Sequence, residues 1–238
     1  MSTCPRCGFS YPFDTDRCPN CYDPKLFIPA SPSQGPQRLS EWKAQPVRRM
    51  VTETPFDGIA SGVPVGAVIL LSGAGGIGKS SWALRLAGRW PAHAWYAPYE
   101  TGPEKLRQDA DRLQVDATRI WVIEEDDARP SAHAGPESLV VIDSLNDYAA
   151  RNSLDLVQAA YSARHQRNAE ATILLLAHVN KLGDVAGPEQ LKHDVDVWIE
   201  LSVTPEGQEH VFSCRQKNRY GPLWEDVWPA PWAQSSSC

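Results

Sequence analysis

At 238 residues, 42% of them hydrophobic and 22% charged, the chain has room for one sizeable α/β core and a small appendage, which excludes a tandem of large domains. The formal net charge of −6 excludes a general basic field, so any contact with nucleic acid must come from a local patch. No apolar run reaches the length of a membrane span, and residues 1–30 carry cysteines and charges where a signal peptide would be apolar; a cytoplasmic protein without a membrane partner is expected.

In chain order, the first signal is a pair of C-x-x-C turns, Cys4/Cys7 and Cys18/Cys21, ten residues apart. Four thiolates on two tight turns can surround Zn²⁺ tetrahedrally, and a segment this short needs bound metal to fold. A disulfide pairing would need an oxidising compartment, and a redox C-x-x-C a thioredoxin-like setting. A structural zinc module over residues 1–28 is therefore expected. Residues 29–50, rich in Pro, Ser and Gln, read as a flexible linker, 51–232 as the main domain and 233–238 as a tail. Cys214 lies in a strand-like run and reads as a small core residue.

Ala67–Leu71 is an unbroken apolar run that reads as a buried central strand. It empties into Gly73, Ala74, Gly75, Gly76, Ile77, Gly78, Lys79 and Ser80, which fit G-x-x-x-x-G-K-[ST]; Ser81 follows, and Trp82, Ala83 and Leu86 fall at helical spacing. Strand, glycine loop and helix are the context this motif requires. Its backbone N–H groups and helix dipole can cradle phosphates, Lys79 can reach the β- and γ-phosphates, and the Ser80 hydroxyl can ligate Mg²⁺. ATP with Mg²⁺ is the cofactor pair this implies.

Further along, 93–99 reads as a second strand ending at Glu100, 102–113 as a helix with Leu106, Ala110 and Leu113 inward, and 120–123 as a short strand. The acidic stretch 124–135 reads as solvated surface. Residues 138–143 form a second apolar strand whose last residue, Asp143, emerges at the carboxyl edge where open α/β sheets bind ligands, so Asp143 is expected to hold Mg²⁺ with Ser80. A helix is expected from Leu154 to about Asn168 with Leu154, Val157 and Tyr161 on its apolar face, then a buried strand over 172–177 leading to His178. Residues 197–203 and 210–214 alternate as a hairpin around Pro205–Gly207. The fold class expected is α/β, a mostly parallel sheet with an antiparallel edge.

The four-cysteine module, GAGGIGKS, VVIDS, HVNKLGDVAGPEQLKHDVD and Lys217-Asn218-Arg219-Tyr220-Gly221 occur here in the order found in RadA (Sms), a RecA-superfamily ATPase family of bacterial DNA recombination and repair, and the chain resembles that family over roughly residues 1–227. Tyr220 stands where the family signature has Phe. The zinc segment departs too, with Asp14-Thr15-Asp16-Arg17 where the family has tryptophan and glycine before the second cysteine pair. The resemblance implies a RecA-like phosphate-loop core and a homo-oligomeric ring, such as a hexamer, on single-stranded DNA. It also implies ATP hydrolysis driving branch migration and a recombinase or helicase partner. RadA proteins usually carry a further C-terminal domain resembling Lon protease, not matched in these residues.

By the same resemblance Glu100 corresponds to the carboxylate that orients the attacking water, His178 to a γ-phosphate sensor, and Lys217 and Arg219 to cations that reach a neighbouring subunit's nucleotide or contact DNA. Lys181 and Lys192 are DNA-contact candidates on family grounds. From the residues alone, Glu100 fits equally in a helix first turn and His178 is a strand-end histidine. Two other functions fit the motifs: an ATP-switched adaptor or helicase loader with little turnover, and a RecA-like ATPase or phosphotransferase that does not act on DNA.

Overall fold

The computed structural model describes residues 2–3, 10–11, 28–29, 40, 46–123, 130–166, 170–178, 191–207 and 209–232. The chain divides into two compact units, Met1–Val47 and Arg48–Cys238. In the first, the two-residue strands β1 (Ser2–Thr3), β2 (Ser10–Tyr11) and β3 (Ile28–Pro29) form an antiparallel sheet with β1 in the middle. Cys4, Cys7, Cys18 and Cys21 lie outside the described residues, as does Lys181.

The second unit opens with β4 (Arg49–Met50), paired antiparallel with β5 (Val63–Pro64) around a 3-10 turn at Pro55–Ile59. The turn buries Phe56 and Ile59 completely. Arg49 and Met50, the last two residues of the stretch read as linker, are paired here.

The main sheet has eight strands: β6 (Val68–Gly73), β7 (Ala94–Pro98), β8 (Ile120–Val122), β9 (Leu139–Asp143), β10 (Thr172–His178), β11 (Val197–Val203), β12 (Glu209–Asn218) and β13 (Trp224–Pro229). Their spatial order is β13-β12-β11-β6-β10-β9-β7-β8, parallel from β11 to β8 and antiparallel through β12 and β13. A parallel strand in mid-sheet is covered on both faces, which is why β6, β9 and β10 are apolar at nearly every position.

Alternation along β6 divides the core. Ile69 and Leu71 face one layer with α1 (Lys79–Arg89) and α2 (Pro103–Arg112); Val68 and Leu70 face the other with α3 (Leu145–Arg151) and α4 (Leu156–Gln166). α1 is anchored by Trp82, 3% exposed, whose indole N–H donates to His210 Nδ1 at 2.7 Å on β12. Side chains of this size contribute roughly 1.5–3 kcal/mol each on burial.

Three expectations are corrected. The helix expected from Leu154 is preceded by a separate one, α3, capped by Ser144 at its start and by Asn152 after its last residue, Arg151. Leu154 and Val157 pack against the core as expected, beside the fully buried Ala159, Ala160 and Ala163 of α4, whereas Tyr161 is 47% exposed with its ring tilted against His165. Small alanines let the helix approach the sheet closely, so the bulky tyrosine turns outward. The stretch read as solvated surface contains a 3-10 turn at Pro130–His133 that buries Pro130, Ser131 and Ala134 and stacks His133 on Trp95; residues 124–129 lie outside the described residues.

The hairpin forms as expected, with Gly207 at φ +71° closing its turn, but β12 runs on to Asn218 and a further strand, β13, follows. Cys214 is fully buried on β12, and burial pushes its thiol up to about 11.

Candidate nucleotide site

The glycine loop leaves β6 at the carboxyl edge of the parallel strands. Gly73 lies so close to β11 that a Cβ there would stand 2.7 Å from the Leu201 carbonyl oxygen. Gly76 and Gly78 take φ values of +73° and +101°, a region that L side chains rarely enter, and Gly78 then starts α1. No atom lies within 4 Å of where a Cβ on Gly75 or Gly76 would be, so the crown of the loop is open to an incoming group. Beside it a cleft of about 490 Å³ is lined by Gly73, Ala74 and Ile77 on one wall and by Glu200, Arg215 and Glu225 on the other.

Lys79 is 5% exposed and folds back over the loop, donating from Nζ to the carbonyl oxygens of Gly73 and Ala74, both at 2.9 Å. Burial lowers its pKa, and the charges of Glu100 and Asp143 oppose that shift. The same Nζ lies 3.3 Å from His178 Nδ1, and His178 Nε2 lies 3.2 Å from Glu100 Oε2. With Lys79 as ammonium, Nδ1 accepts and Nε2 carries the proton offered to Glu100. Loop lysine, strand-end histidine and strand-end carboxylate thus form one connected line. The histidine is held from behind, its backbone N–H donating to Asn146 Oδ1 at 3.0 Å.

Asp143 ends β9 at 3% exposure, receiving a hydrogen bond from the Tyr96 hydroxyl at 2.7 Å and another from the Ser80 side chain. Burial raises its pKa, and these two donors draw it back. A hydroxyl and a buried carboxylate at the phosphate end of the loop are the hard oxygen donors that Mg²⁺ takes, so the residues fit that ion. Glu100, Asp147 and His178 also bring one ligand atom each within 4.8 Å of one another. That trio is a poorer cation site, because the amine of Lys79 already stands 3.3 Å from its histidine.

Of the sequence-predicted residues, the structure therefore brings together Gly73 to Ser80, Asp143, Glu100 and His178. It does not bring Lys217 and Arg219 to this loop. Asn218 pairs with Val197, which pairs with Ile69 at the start of β6, about four residues or roughly 13 Å along the strand from Gly73. There Arg219 donates to Asp196 Oδ1 at 2.8 Å, an oxygen shared with Arg164 at 3.1 Å, while Asp196 Oδ2 accepts the Val68 N–H at 3.0 Å. Lys192 lies on the short helix α5 (Leu191–Asp194) that leads to Asp196.

The rest of the signature is structural. Asn218 Nδ2 donates to the carbonyls of Ile59 and Pro222, both at 2.9 Å, and a Cβ on Gly221 would sit 2.7 Å from the Ile59 oxygen. Gly221→Ala is expected to lower stability by about 1–3 kcal/mol, the usual result of forcing one carbon into filled space. Urea unfolding checks this, and an unchanged midpoint would show that the turn can move aside.

Two residues of consequence stand inside motifs without a role of their own being legible there: Tyr96 opens the Tyr-x-x-x-Glu run that ends at Glu100, and Asp196 closes HVNKLGDVAGPEQLKHDVD. Tyr96 hides in a strand where tyrosine is an ordinary core residue, and Asp196 finds its partners only in three dimensions. Asp196 also stands directly before the apolar strand β11.

A mostly parallel sheet with this loop on its central strand and an acidic strand end beside it defines a phosphate-loop protein of RecA-like fold. A KaiC-like protein from Pyrococcus horikoshii shares that fold, with a TM-score of 0.62 and 18% identity, covering 79% of this chain and 97% of that one. Among curated proteins the chain resembles the DNA repair protein RadA. It is 26% identical over 253 residues to RadA of Chlamydia pneumoniae, covering 94% of this chain and 55% of that protein. The figures for RadA of Pseudomonas aeruginosa are 28% over 257 residues, 94% and 56%, and for RadA of Mycobacterium tuberculosis 29% over 180 residues, 68% and 37%. The chain spans about half the length of the first two relatives. No protein-family model matches it. Among the described residues, no helix is long and apolar enough to cross a membrane.

Proposed function

We propose that the chain is a RadA-like ATP hydrolase that works on single-stranded DNA as a ring of subunits, in recombination, repair or replication. The observation that carries the catalytic part is the line Lys79–His178–Glu100, which sets a carboxylate one histidine away from the lysine that would hold the terminal phosphates. An incoming phosphate competes with the Gly73 and Ala74 carbonyls for Lys79 Nζ, and the loop N–H groups and the start of α1 bind the remaining oxygens. Mg²⁺, held by Ser80 and Asp143, would neutralise charge on the β- and γ-phosphates. Glu100 then takes the proton of the attacking water, and His178 reports the occupancy of the γ position to it.

The other parts rest on the family likeness and on charge. Lys217 and Arg219, distant from their own loop, would meet a neighbouring subunit's nucleotide or DNA. Lys181 and Lys192 are proposed DNA contacts, and Cys4, Cys7, Cys18 and Cys21 a structural zinc site. The net charge of −6 favours a second reading, an ATPase that ignores DNA.

The test is the hydrolysis rate with and without single-stranded DNA, together with molar mass in a non-hydrolysable ATP analogue. The proposal expects DNA-stimulated turnover by an oligomer, with DNA affinity falling as salt is added. Turnover by a monomer indifferent to DNA supports the second reading, and turnover no faster than background points to a switch or loader.

A further inference from the structure

Tyr96 has a polar group with a task. It is completely buried on β7 and packs on the α1 side of the sheet, yet its hydroxyl reaches along the face to Asp143 Oδ2 at 2.7 Å. The chain two residues beyond β7 holds the same residue by its main chain, since the Glu100 N–H donates to the Asp143 carbonyl at 2.9 Å. The segment that presents Glu100 therefore grips Asp143 twice.

We propose that Tyr96 is a positioning residue for Mg²⁺, its hydroxyl fixing the rotation of the Asp143 carboxylate so that the other oxygen faces Ser80 and the loop. This rests on the reading that Asp143 and Ser80 hold Mg²⁺ with a bound nucleotide. A carboxylate turns freely about its last torsion unless a donor holds one oxygen. With Tyr96 holding Oδ2, Asp143 meets the ion without first losing that freedom, as partners of metal-binding carboxylates generally arrange. Phenylalanine would keep the ring in the core and remove only the donor.

The experiment titrates Mg²⁺ into full-length protein mixed with a fluorescent ATP analogue, for the wild type and Tyr96→Phe, with parallel binding in EDTA and thermal melting. Direct Mn²⁺ binding by electron paramagnetic resonance, in the presence of the analogue, provides a readout independent of turnover. Tyr96→Phe is expected to raise the half-saturating Mg²⁺ and Mn²⁺ concentrations by about 10-fold or more, the usual effect of losing such a partner, and to leave binding in EDTA unchanged. In an Asp143→Asn background the same substitution should change metal dependence no further. If the wild type depends on Mg²⁺ and Tyr96→Phe matches it, the positioning role is overturned while the nucleotide site stands. Loss of binding in EDTA and with metal alike, with a lowered melting point, also overturns it in favour of a packing role. A wild type that binds nucleotide without regard to Mg²⁺ overturns the reading of Asp143 and this proposal together.

Discussion

Glu100→Gln is expected to slow ATP hydrolysis by roughly 10²–10⁴-fold at saturating Mg²⁺ and ATP, the range that general-base catalysis supplies, while leaving nucleotide affinity unchanged. Binding survives because Glu100 does not touch the loop; His178 stands between it and Lys79. Glutamine keeps the shape, and its amide oxygen can still accept the Nε2 proton of His178, so the line of contacts persists. What is lost is the capacity to take a proton from water. Steady-state hydrolysis measured beside fluorescent-nucleotide binding separates the two effects. A rate close to that of the wild type would mean that another group orients the water and that Glu100 is a surface carboxylate opening α2.

The second large effect is on stability. Asp196→Ala is expected to cost about 3 kcal/mol, near the lower end for breaking a buried ion pair, because the two guanidinium groups keep part of their hydration. The Asp196 side chain is 5% exposed, against 25% for Arg164 and 48% for Arg219. Its two oxygens join α4, the turn after β12 and the first N–H of β6, so its removal takes an acceptor from Arg219 and from a backbone donor and leaves Arg164 with the Asp194 carbonyl. For a domain of this size the melting temperature should fall by roughly 6–12 °C. Thermal unfolding of Asp196→Ala and Asp196→Asn tests it, with the amide expected to lie between the alanine variant and the wild type. An unchanged melting curve would show that this ion-pair cluster contributes nothing to the stability of the fold.

Residues whose roles are local in sequence are legible from spacing and pattern. Lys79, Ser80 and the loop glycines carry their geometry in their spacing, and Asp143 and Glu100 are marked by ending apolar strands. The buried strands are legible for the same reason, since apolar runs of strand length between helical patterns admit few arrangements.

What stays hidden depends on contacts between distant segments. The Tyr96 hydroxyl matters only because β7 lies beside β9. Asp196 matters because β11 lies beside β6 and Arg219 returns from the next turn. The register along β11 and β12 decides that Lys217 and Arg219 stand away from the loop, and spacing says nothing of register. The misplaced Tyr161 has a related cause: alanine is a weak apolar signal, so Ala159, Ala160 and Ala163 are outweighed by a conspicuous tyrosine that points to solvent, while Leu154 and Val157 pack inward as their spacing predicts. The β13 strand has no clear signal in the sequence, because its acids and flanking prolines interrupt the apolar alternation that marks a strand.

Calorimetric titration of the full chain with a non-hydrolysable ATP analogue, with and without Mg²⁺ and with Lys79→Ala as control, tests the central claim most directly. The geometry of the loop predicts saturable, Mg²⁺-assisted binding that Lys79→Ala abolishes. No heat of binding at millimolar analogue with Mg²⁺ present, or equal binding by Lys79→Ala, would contradict it.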